Sequence, residues 1–246
     1  MKIYIDAGHN HSGGDTGAVG FGHKEQDINF NVAYLVGETL KRHGIDIRYS
    51  RNKITDNVGT TVAASINGRV NAANSWGANL FVSIHCNAFS DPNANGTETL
   101  VFSASGTANQ LARKVNAEIV KALGTRDRGV KVRTDLGVLR NTNMPAILPE
   151  LAFITNKSNC DKLVNRQGDF AKAICRGICN HLNIRFNESE GNDVENKNNT
   201  GEHWAQKHLG SLIAKKIVET PEAWRDFDNF VSKAALLALI DKATNR

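Results

Sequence analysis

Several features that would narrow the class of this protein are scarce or absent in its 246 residues. Its 4 cysteines are too few for a disulfide framework, which favours a reducing compartment. No apolar run approaches the roughly 20 residues that cross a membrane, so membrane insertion is not expected. A short strand and a polar, glycine-rich stretch stand where a secretory signal would lie, so we expect synthesis in the cytoplasm without a signal peptide. These absences leave a globular protein of one large domain, or of one domain with a small appendage.

The sequence also has no block of consecutive basic residues, although its net charge is +5. Lysine and arginine alternate with acidic residues, so no nucleic-acid-binding tail is indicated and no nucleic-acid partner is expected. A basic excess favours anionic partners in general. A solvated surface explains the same charge, and charge alone therefore selects no partner.

The clearest change of composition lies at residues 187–200. Five asparagines and four acids fill most of this stretch, and Val194 is its only aliphatic residue. Such a segment cannot bury enough apolar surface to offset its ordering entropy, which predicts a linker. We therefore predict a body at residues 1–186 and a small all-α appendage at residues 201–246, where apolar residues recur twice at helical spacing.

Strand and helix patterns alternate along the body. Apolar stripes at helical spacing predict helices at residues 25–43, 62–76, 111–123 and 158–182. Short apolar runs predict strands at residues 3–6, 45–50, 79–85 and 98–102, and further short runs occupy residues 137–139 and 146–153. This alternation predicts an α/β fold with a mostly parallel sheet.

Four side chains that could bind a metal or take part in catalysis occur where these elements begin or end. His9 follows the first strand, His85 and Glu150 end later strands, and Glu25 opens the first helix. The carboxyl ends of parallel strands share one edge of a sheet, so these residues are expected to converge there. Two imidazoles and a carboxylate suit a zinc ion that keeps a fourth position open. A second carboxylate would then take a proton from water and return it to the leaving amine.

Each of these residues also has a structural interpretation. Glu25 would favour the helix N-terminus through the helix dipole, and His85 could be a satisfied core histidine. Glu150 is harder to explain as structural, because a carboxylate in an apolar run needs a cation or donors nearby. The glycine-rich residues 8–22 lack phosphate-loop spacing and predict a flexible rim around a site. Strand alternation points Cys86 away from the predicted metal.

Five segments, in order along residues 1–184, resemble the zinc-dependent N-acetylmuramoyl-L-alanine amidases called amidase type 3. The similarity comprises the first strand with its glycine-rich loop, the glutamate-bearing helix start, a short polar block, a segment that ends in SIHCNA, and a closing segment with a glutamate. They are residues 3–20, 23–33, 50–58, 66–88 and 126–156.

The resemblance implies roles for individual residues. It implies three zinc (Zn²⁺) ligands, which are His9, Glu25 and His85. Glu150 would be the catalytic acid/base, and Asn87 and Arg140 would be substrate-side helpers near the site. The implied fold is a mixed, mainly parallel sheet flanked by helices.

The implied reaction is hydrolysis of the amide between N-acetylmuramic acid and L-alanine in peptidoglycan. The sequence departs from the family pattern beside the glutamate, with Pro149 where an aliphatic residue is common and Ala152 where glycine is common. Cys86 also replaces a commoner small residue. These departures affect the expected fit of the substrate more than the expected chemistry.

The C-terminal segment resembles one S-layer-homology repeat. This resemblance implies binding to an anionic secondary wall polymer. One helix pair cannot bury both of its apolar faces alone, so docking on the body or a homodimer remains the alternative.

Together these features favour a phage or prophage endolysin, which acts on the cell wall once the membrane is breached. Three alternatives remain: a host amidase of sporulation or mother-cell lysis, a metallopeptidase that cuts within the stem peptide, and a non-enzymatic wall-binding protein.

Overall fold

The chain divides into two units, Met1–Gly191 and Asn192–Arg246. A computed structural model describes residues 1–187, all within the first unit. The predicted appendage, and the predicted linker apart from its first residue, lie outside the described residues, so both stay predictions. The unit's helices and strands follow from apolar patterns in the sequence.

Strands and helices alternate through the described residues. The strands are β1 (Lys2–Ala7), β2 (Val19–Gly20), β3 (His23–Lys24), β4 (Asp46–Tyr49), β5 (Leu80–Asn87), β6 (Thr97–Val101), β7 (Asp127–Val132) and β8 (Ala146–Phe153). The helices are α1 (Glu25–Arg42), α2 (Val62–Trp76), α3 (Gly106–Leu123), α4 (Gly137–Arg140), α5 (Lys157–Asn165) and α6 (Gln167–Leu182). No described helix is long and apolar enough to cross a membrane.

Six strands form one sheet in the order β4-β1-β5-β8-β6-β7. Strand β6 runs antiparallel to β8, and the other neighbouring pairs are parallel. This confirms the predicted mixed, mainly parallel sheet flanked by helices. The hairpin of β2 and β3 stands apart as a two-stranded sheet.

Both faces of the central strands are buried. Alternate residues of β5 show the pattern, since Ile84 packs in the core shared with α1, α3 and α6, whereas Phe81 packs in the core shared with α2 and α4. Burial of each such side chain contributes about 1.5–3 kcal/mol. A strand covered on both faces needs apolar residues throughout, so a polar side chain within it stands out.

Local signals fix the helix ends as expected. Helix α1 has acids in its first turn and bases in its last, which complements the helix dipole, and Gly44 follows it with φ 74°. Helix α2 begins where the Thr61 side chain accepts a hydrogen bond from the Ala64 N–H. It ends at Gly77, which is in the left-handed conformation that glycine adopts without steric strain.

Some predicted elements differ in the structure. The helix predicted at residues 158–182 is two helices, α5 and α6, because the chain breaks at Arg166, where φ is −128°. The short apolar run at residues 137–139 is the helical turn α4. Strand β7 was not predicted, because it is a partly exposed edge strand without apolar alternation and with Gly129 at positive φ. Glu150 lies inside β8 and not at its end.

Candidate active site

Three neighbouring strands bring the predicted residues together. His9 follows β1, while His85 of β5 and Glu150 of β8 are directly paired in register. Paired residues of neighbouring strands point to the same face of a sheet. Here that face is the one covered by α2 and α4. The predicted convergence is therefore confirmed, although Glu150 reaches the site from mid-strand.

His9, Glu25 and His85 form a cluster that could hold a metal ion. One ligand atom from each lies within 4.8 Å of the others. His9 Nε2 is 3.3 Å and His85 Nδ1 is 3.1 Å from the same oxygen, Glu25 Oε1. Zinc–nitrogen and zinc–oxygen bonds of about 2.0–2.1 Å imply about 3.3 Å between neighbouring ligands of a tetrahedral site. The donor types and two of the separations therefore fit zinc.

Glu25 is fixed from several directions at the first residue of α1. Its Oε1 accepts a hydrogen bond from the Cys86 N–H at 3.1 Å, and its Oε2 accepts one from the Ala18 N–H at 2.9 Å. Burial alone would raise the pKa of this carboxyl, but hydrogen bonds and charge interactions with the two imidazoles outweigh it and hold the pKa well below its usual value. Glu25 is therefore a charged and oriented carboxylate, as a metal ligand would have to be.

His9 is oriented by a residue that the sequence analysis missed. Its Nδ1 lies 3.1 Å from Asp15 Oδ1, so a proton on Nδ1 leaves Nε2 facing Glu25. Burial lowers the pKa of His9, but hydrogen bonds to Asp15 and Glu25 outweigh that effect and raise it to about 9. The only signal for Asp15 in the sequence was an acid within the glycine-rich loop.

Two glycines leave the space in which the cluster assembles. A Cβ on Gly8 would lie 2.3 Å from His85 Nε2, and a Cβ on Gly17 would lie 2.8 Å from both Glu25 Oε2 and His9 Cδ2. Side-chain atoms cannot approach this closely. The glycine-rich loop thus forms a rim at the site, as predicted. Gly8 and Gly17 leave room for the imidazole and carboxylate groups because they have no side chain.

Glu150 has the opposite environment to Glu25. Its Oε2 is buried and has no hydrogen-bond partner within residues 1–187. Burial, reinforced by the charges of Glu25 and Glu98, raises the pKa of Glu150 to about 8. A carboxyl with a pKa near neutrality is suited to take and return a proton.

Glu98 is a second residue that the sequence analysis missed. It is paired with Glu150 across β6 and β8. Asn87 Nδ2 donates to its Oε1 at 3.0 Å, and Arg128 Nε donates to its Oε2 at 2.7 Å. Asn87 thus contacts Glu98, and Glu98 in turn is paired with Glu150 on the neighbouring strand. Within the polar strand TETLV, no pattern distinguished Glu98 from a surface residue.

Arg140 is the predicted site residue that the structure brings least close. It is exposed at the last residue of α4, and its Nε donates to Asn141 Oδ1 at 3.2 Å. No contact between Arg140 and the cluster is present among the described residues. Its role as a helper stays a prediction.

A pocket of about 200 Å³ adjoins the cluster. His9 and His85 line one part of it, with Asp15, Asp6 and Arg69. Apolar side chains of α2, β8 and the α4 region line the rest, namely Val62, Ile66, Leu136, Val138 and Leu148. The cluster therefore faces a mainly apolar recess that could hold part of a ligand.

Cys86 lies on the opposite face of the sheet from His85, as strand alternation predicted. Its thiol is buried in the core and donates to Asn29 Oδ1 at 3.4 Å. Burial raises the pKa of this thiol well above its usual value, so it stays protonated. The cysteine is therefore a core residue.

Comparison with known proteins agrees with this fold. A family model described as N-acetylmuramoyl-L-alanine amidase (Amidase_3) matches residues 3–180. Among curated relatives, the amidase CwlM of Bacillus licheniformis is 35% identical over 191 residues, 77% of this chain and 70% of its own. The endolysin of Bacillus phage SPP1 is 35% identical over 195 residues, 74% of this chain and 66% of its own.

Solved structures give the same result. The N-acetylmuramoyl-L-alanine amidase from Clostridium difficile 630 matches with a TM-score of 0.66 and 34% identity, over 74% of this chain and 97% of its own. The fold and these relatives define the class of this protein as an amidase, a hydrolase whose substrate is peptidoglycan. More particularly, the chain belongs to the amidase type 3 family of N-acetylmuramoyl-L-alanine amidases, as its motifs implied.

Proposed function

We propose that this amidase is zinc-dependent, with His9, Glu25 and His85 as the metal ligands and Glu150 as the catalytic acid/base. The observation that carries the proposal is the three-residue cluster next to a buried carboxylate oxygen without a partner. Structural ion pairs satisfy their polar atoms, whereas this oxygen is left free beside the cluster. An unsatisfied buried carboxyl group lowers the stability of the fold, so its presence here favours a chemical role.

The residues present fit zinc better than calcium or magnesium. The donors are two nitrogens and one oxygen, a set that leaves one of four tetrahedral positions open for a catalytic water. Calcium and magnesium would need more oxygen ligands. The free Cys86 thiol is on the other face of the sheet, so it does not compete as a ligand.

In the proposed mechanism, bound zinc would polarise the scissile carbonyl and lower the pKa of a water. Glu150 takes a proton from the attacking water and passes it to the nitrogen of the leaving L-alanine. Asp15 holds His9 in the tautomer whose Nε2 faces the metal position. Glu98, held by Asn87 and Arg128, helps to raise the pKa of Glu150, which makes the Glu150 carboxylate a stronger base for the proton of the attacking water.

The apolar pocket is the proposed location for the substrate groups next to the scissile bond. It shares His9 and His85 with the cluster, so a group bound there lies close to the metal position. Both the lactyl group and L-alanine carry a methyl group, which suits an apolar lining. Arg140, at the exposed end of α4, stays a proposed helper on the outer side of this pocket.

For the biological role, we propose an endolysin that acts on the wall after the membrane is breached. The similarity to the phage SPP1 endolysin supports this role. The sporulation-specific amidase of Bacillus subtilis is 33% identical over 190 residues, so a host role in sporulation is the alternative.

Residues 201–246 would bind an anionic wall polymer or form a homodimer. Deleting residues 187–246 separates these two roles. Loss of binding in a wall pull-down indicates wall binding, and a halved mass in solution indicates a dimer.

The proposed reaction is tested by mass spectrometry of digested peptidoglycan. An amidase releases intact stem peptides with free L-alanine amino termini, and a metallopeptidase would release shortened peptides. Activity should disappear on removal of metal by a chelator and return with Zn²⁺. Full activity of protein that elemental analysis shows to be metal-free would contradict zinc dependence. An empty zymogram would favour the non-enzymatic alternative.

A further inference from the structure

We propose that two buried arginines, Arg69 and Arg51, are positioning residues that hold the backbone of His9 in the conformation needed for metal binding. This inference rests on the proposed function, since it takes His9 as a ligand. It adds residues outside the proposed ligand set whose hydrogen bonds to His9 go to its main chain. Their common target is the carbonyl oxygen of His9.

The backbone of His9 is in an unusual conformation. Its φ is 65°, in the left-handed region that residues with a side chain rarely adopt. Glycine would relieve this strain, but glycine carries no imidazole, so the position needs both a side chain and a strained backbone. Such conformations persist only where the surrounding structure enforces them.

Arg69 provides the first part of that enforcement. Its Nη2 donates to the His9 carbonyl at 2.6 Å, and its Nη1 donates to the Ala7 carbonyl at 2.7 Å. Nη1 also pairs with the carboxylate of Asp6, which accepts a further hydrogen bond from Ser83 Oγ at 2.6 Å. The guanidinium is thus anchored to β1 on one side and holds His9, the second residue after β1, on the other.

Arg51 provides the second part from a different direction. Its Nη1 donates to the His9 carbonyl at 3.2 Å and to the Gln26 carbonyl at 3.0 Å. Gln26 follows Glu25, so one guanidinium ties the chain segments of two proposed ligands together. The distance between the two main-chain segments that carry the His9 imidazole and the Glu25 carboxylate is thereby fixed.

The burial of these arginines supports a specific role. Both are only 2% exposed, and among the described contacts Arg51 donates to carbonyl oxygens and to no carboxylate. Burying a guanidinium that has no directly hydrogen-bonded carboxylate, as at Arg51, is unfavourable, and an apolar side chain of similar size would often stabilise a core as well or better. A planar group with several fixed donors is what converging carbonyl oxygens require, and lysine cannot reproduce it.

The test is the zinc affinity of Arg69→Lys and Arg51→Lys, measured on the full chain by chelator competition. Lysine keeps the charge, and at position 69 it can keep the pairing with Asp6, but its single ammonium cannot hold the His9 carbonyl and the neighbouring carbonyl oxygens at the same time. We expect a loss of affinity of about 10–100-fold, as is typical when residues behind metal ligands are changed. At saturating zinc, the zinc content of both variants should return to that of the wild type.

Ser83→Ala is the matched control. It removes a hydrogen bond from the same buried network without touching the His9 carbonyl, so it should lower the melting temperature and leave zinc affinity unchanged. Folded lysine variants with wild-type affinity would overturn the inference, as would failure of both to fold, which would make the arginines folding residues. If wild-type protein itself binds no zinc, the proposed function fails instead.

Discussion

Glu25 and Glu150 are the same residue type in one site, yet the structure treats them in opposite ways. On the α1 side, Glu25 accepts main-chain hydrogen bonds and contacts two imidazoles, and its pKa is held low. On the β8 side, Glu150 has a buried oxygen without a partner among residues 1–187, and its pKa is raised to about 8. The surroundings thus assign one carboxylate a permanent charge and the other a changeable one.

This difference suits the two roles proposed for the two glutamates. A metal ligand must stay deprotonated and fixed in place, and the hydrogen-bond donors around Glu25 favour both. An acid/base must lose and regain a proton near neutral pH, which the apolar strand and the neighbouring carboxylates around Glu150 favour. The same substitution at the two positions should therefore have different consequences.

The largest effect is expected for Glu25→Gln. The amide removes the negative charge and one ligand oxygen, so zinc affinity should fall by more than about 100-fold, beyond the usual effect of changes behind the ligands. Peptidoglycan hydrolysis should fall to background with it. Elemental analysis and a turbidity assay measure the two effects. A Glu25→Gln variant with full zinc content would contradict the proposed difference between Glu25 as a metal ligand and Glu150 as an acid/base.

Glu150→Gln should reduce activity and retain zinc. The amide is close in shape but cannot accept the proton of the attacking water, so turnover should fall by about 10²–10⁴-fold. Zinc content should match that of the wild type. Hydrolysis at the wild-type rate would remove Glu150 from the mechanism, and loss of zinc would make it a ligand like Glu25.

The smallest effect concerns stability without metal. Because folding raises the pKa of Glu150, its contribution favours the folded state below the unfolded pKa of about 4.3 and is lost as the pH rises towards 8. Glutamine has no such loss. The metal-free Glu150→Gln variant should therefore gain about 3.5 kcal/mol over the wild type between pH 5 and pH 8, a relative rise in Tm of about 7–14 °C.

Thermal unfolding of both chelated proteins at the two pH values measures this gain. Titrating groups that do not interact with Glu150 are shared by the two proteins and cancel in the difference. A difference in Tm that is the same at pH 5 and pH 8 would show that Glu150 does not titrate abnormally. It would remove the electrostatic contrast with Glu25 and leave only the geometric one.

The cluster was predictable from the sequence, because the carboxyl ends of β1 and β5 and the start of α1 meet by the rules of parallel sheets. Asp15 and Glu98 were not, since their roles depend on how a loop folds back and on the antiparallel register of β6 with β8. The roles of Arg51 and Arg69 could not be predicted for a similar reason. Their partners include main-chain carbonyl oxygens, which every residue has and which no sequence pattern marks.

The position of β8 in the sheet has a consequence for how the enzyme becomes competent. Residues up to β5 supply His9, Glu25 and His85, but β8 is the last strand within residues 1–187 and inserts between β5 and β6. Pairings between distant segments form slowly, because the intervening chain must first be ordered. A partly folded chain could thus capture a metal before it can hydrolyse anything, and catalysis would begin only when the final strand closes the middle of the sheet.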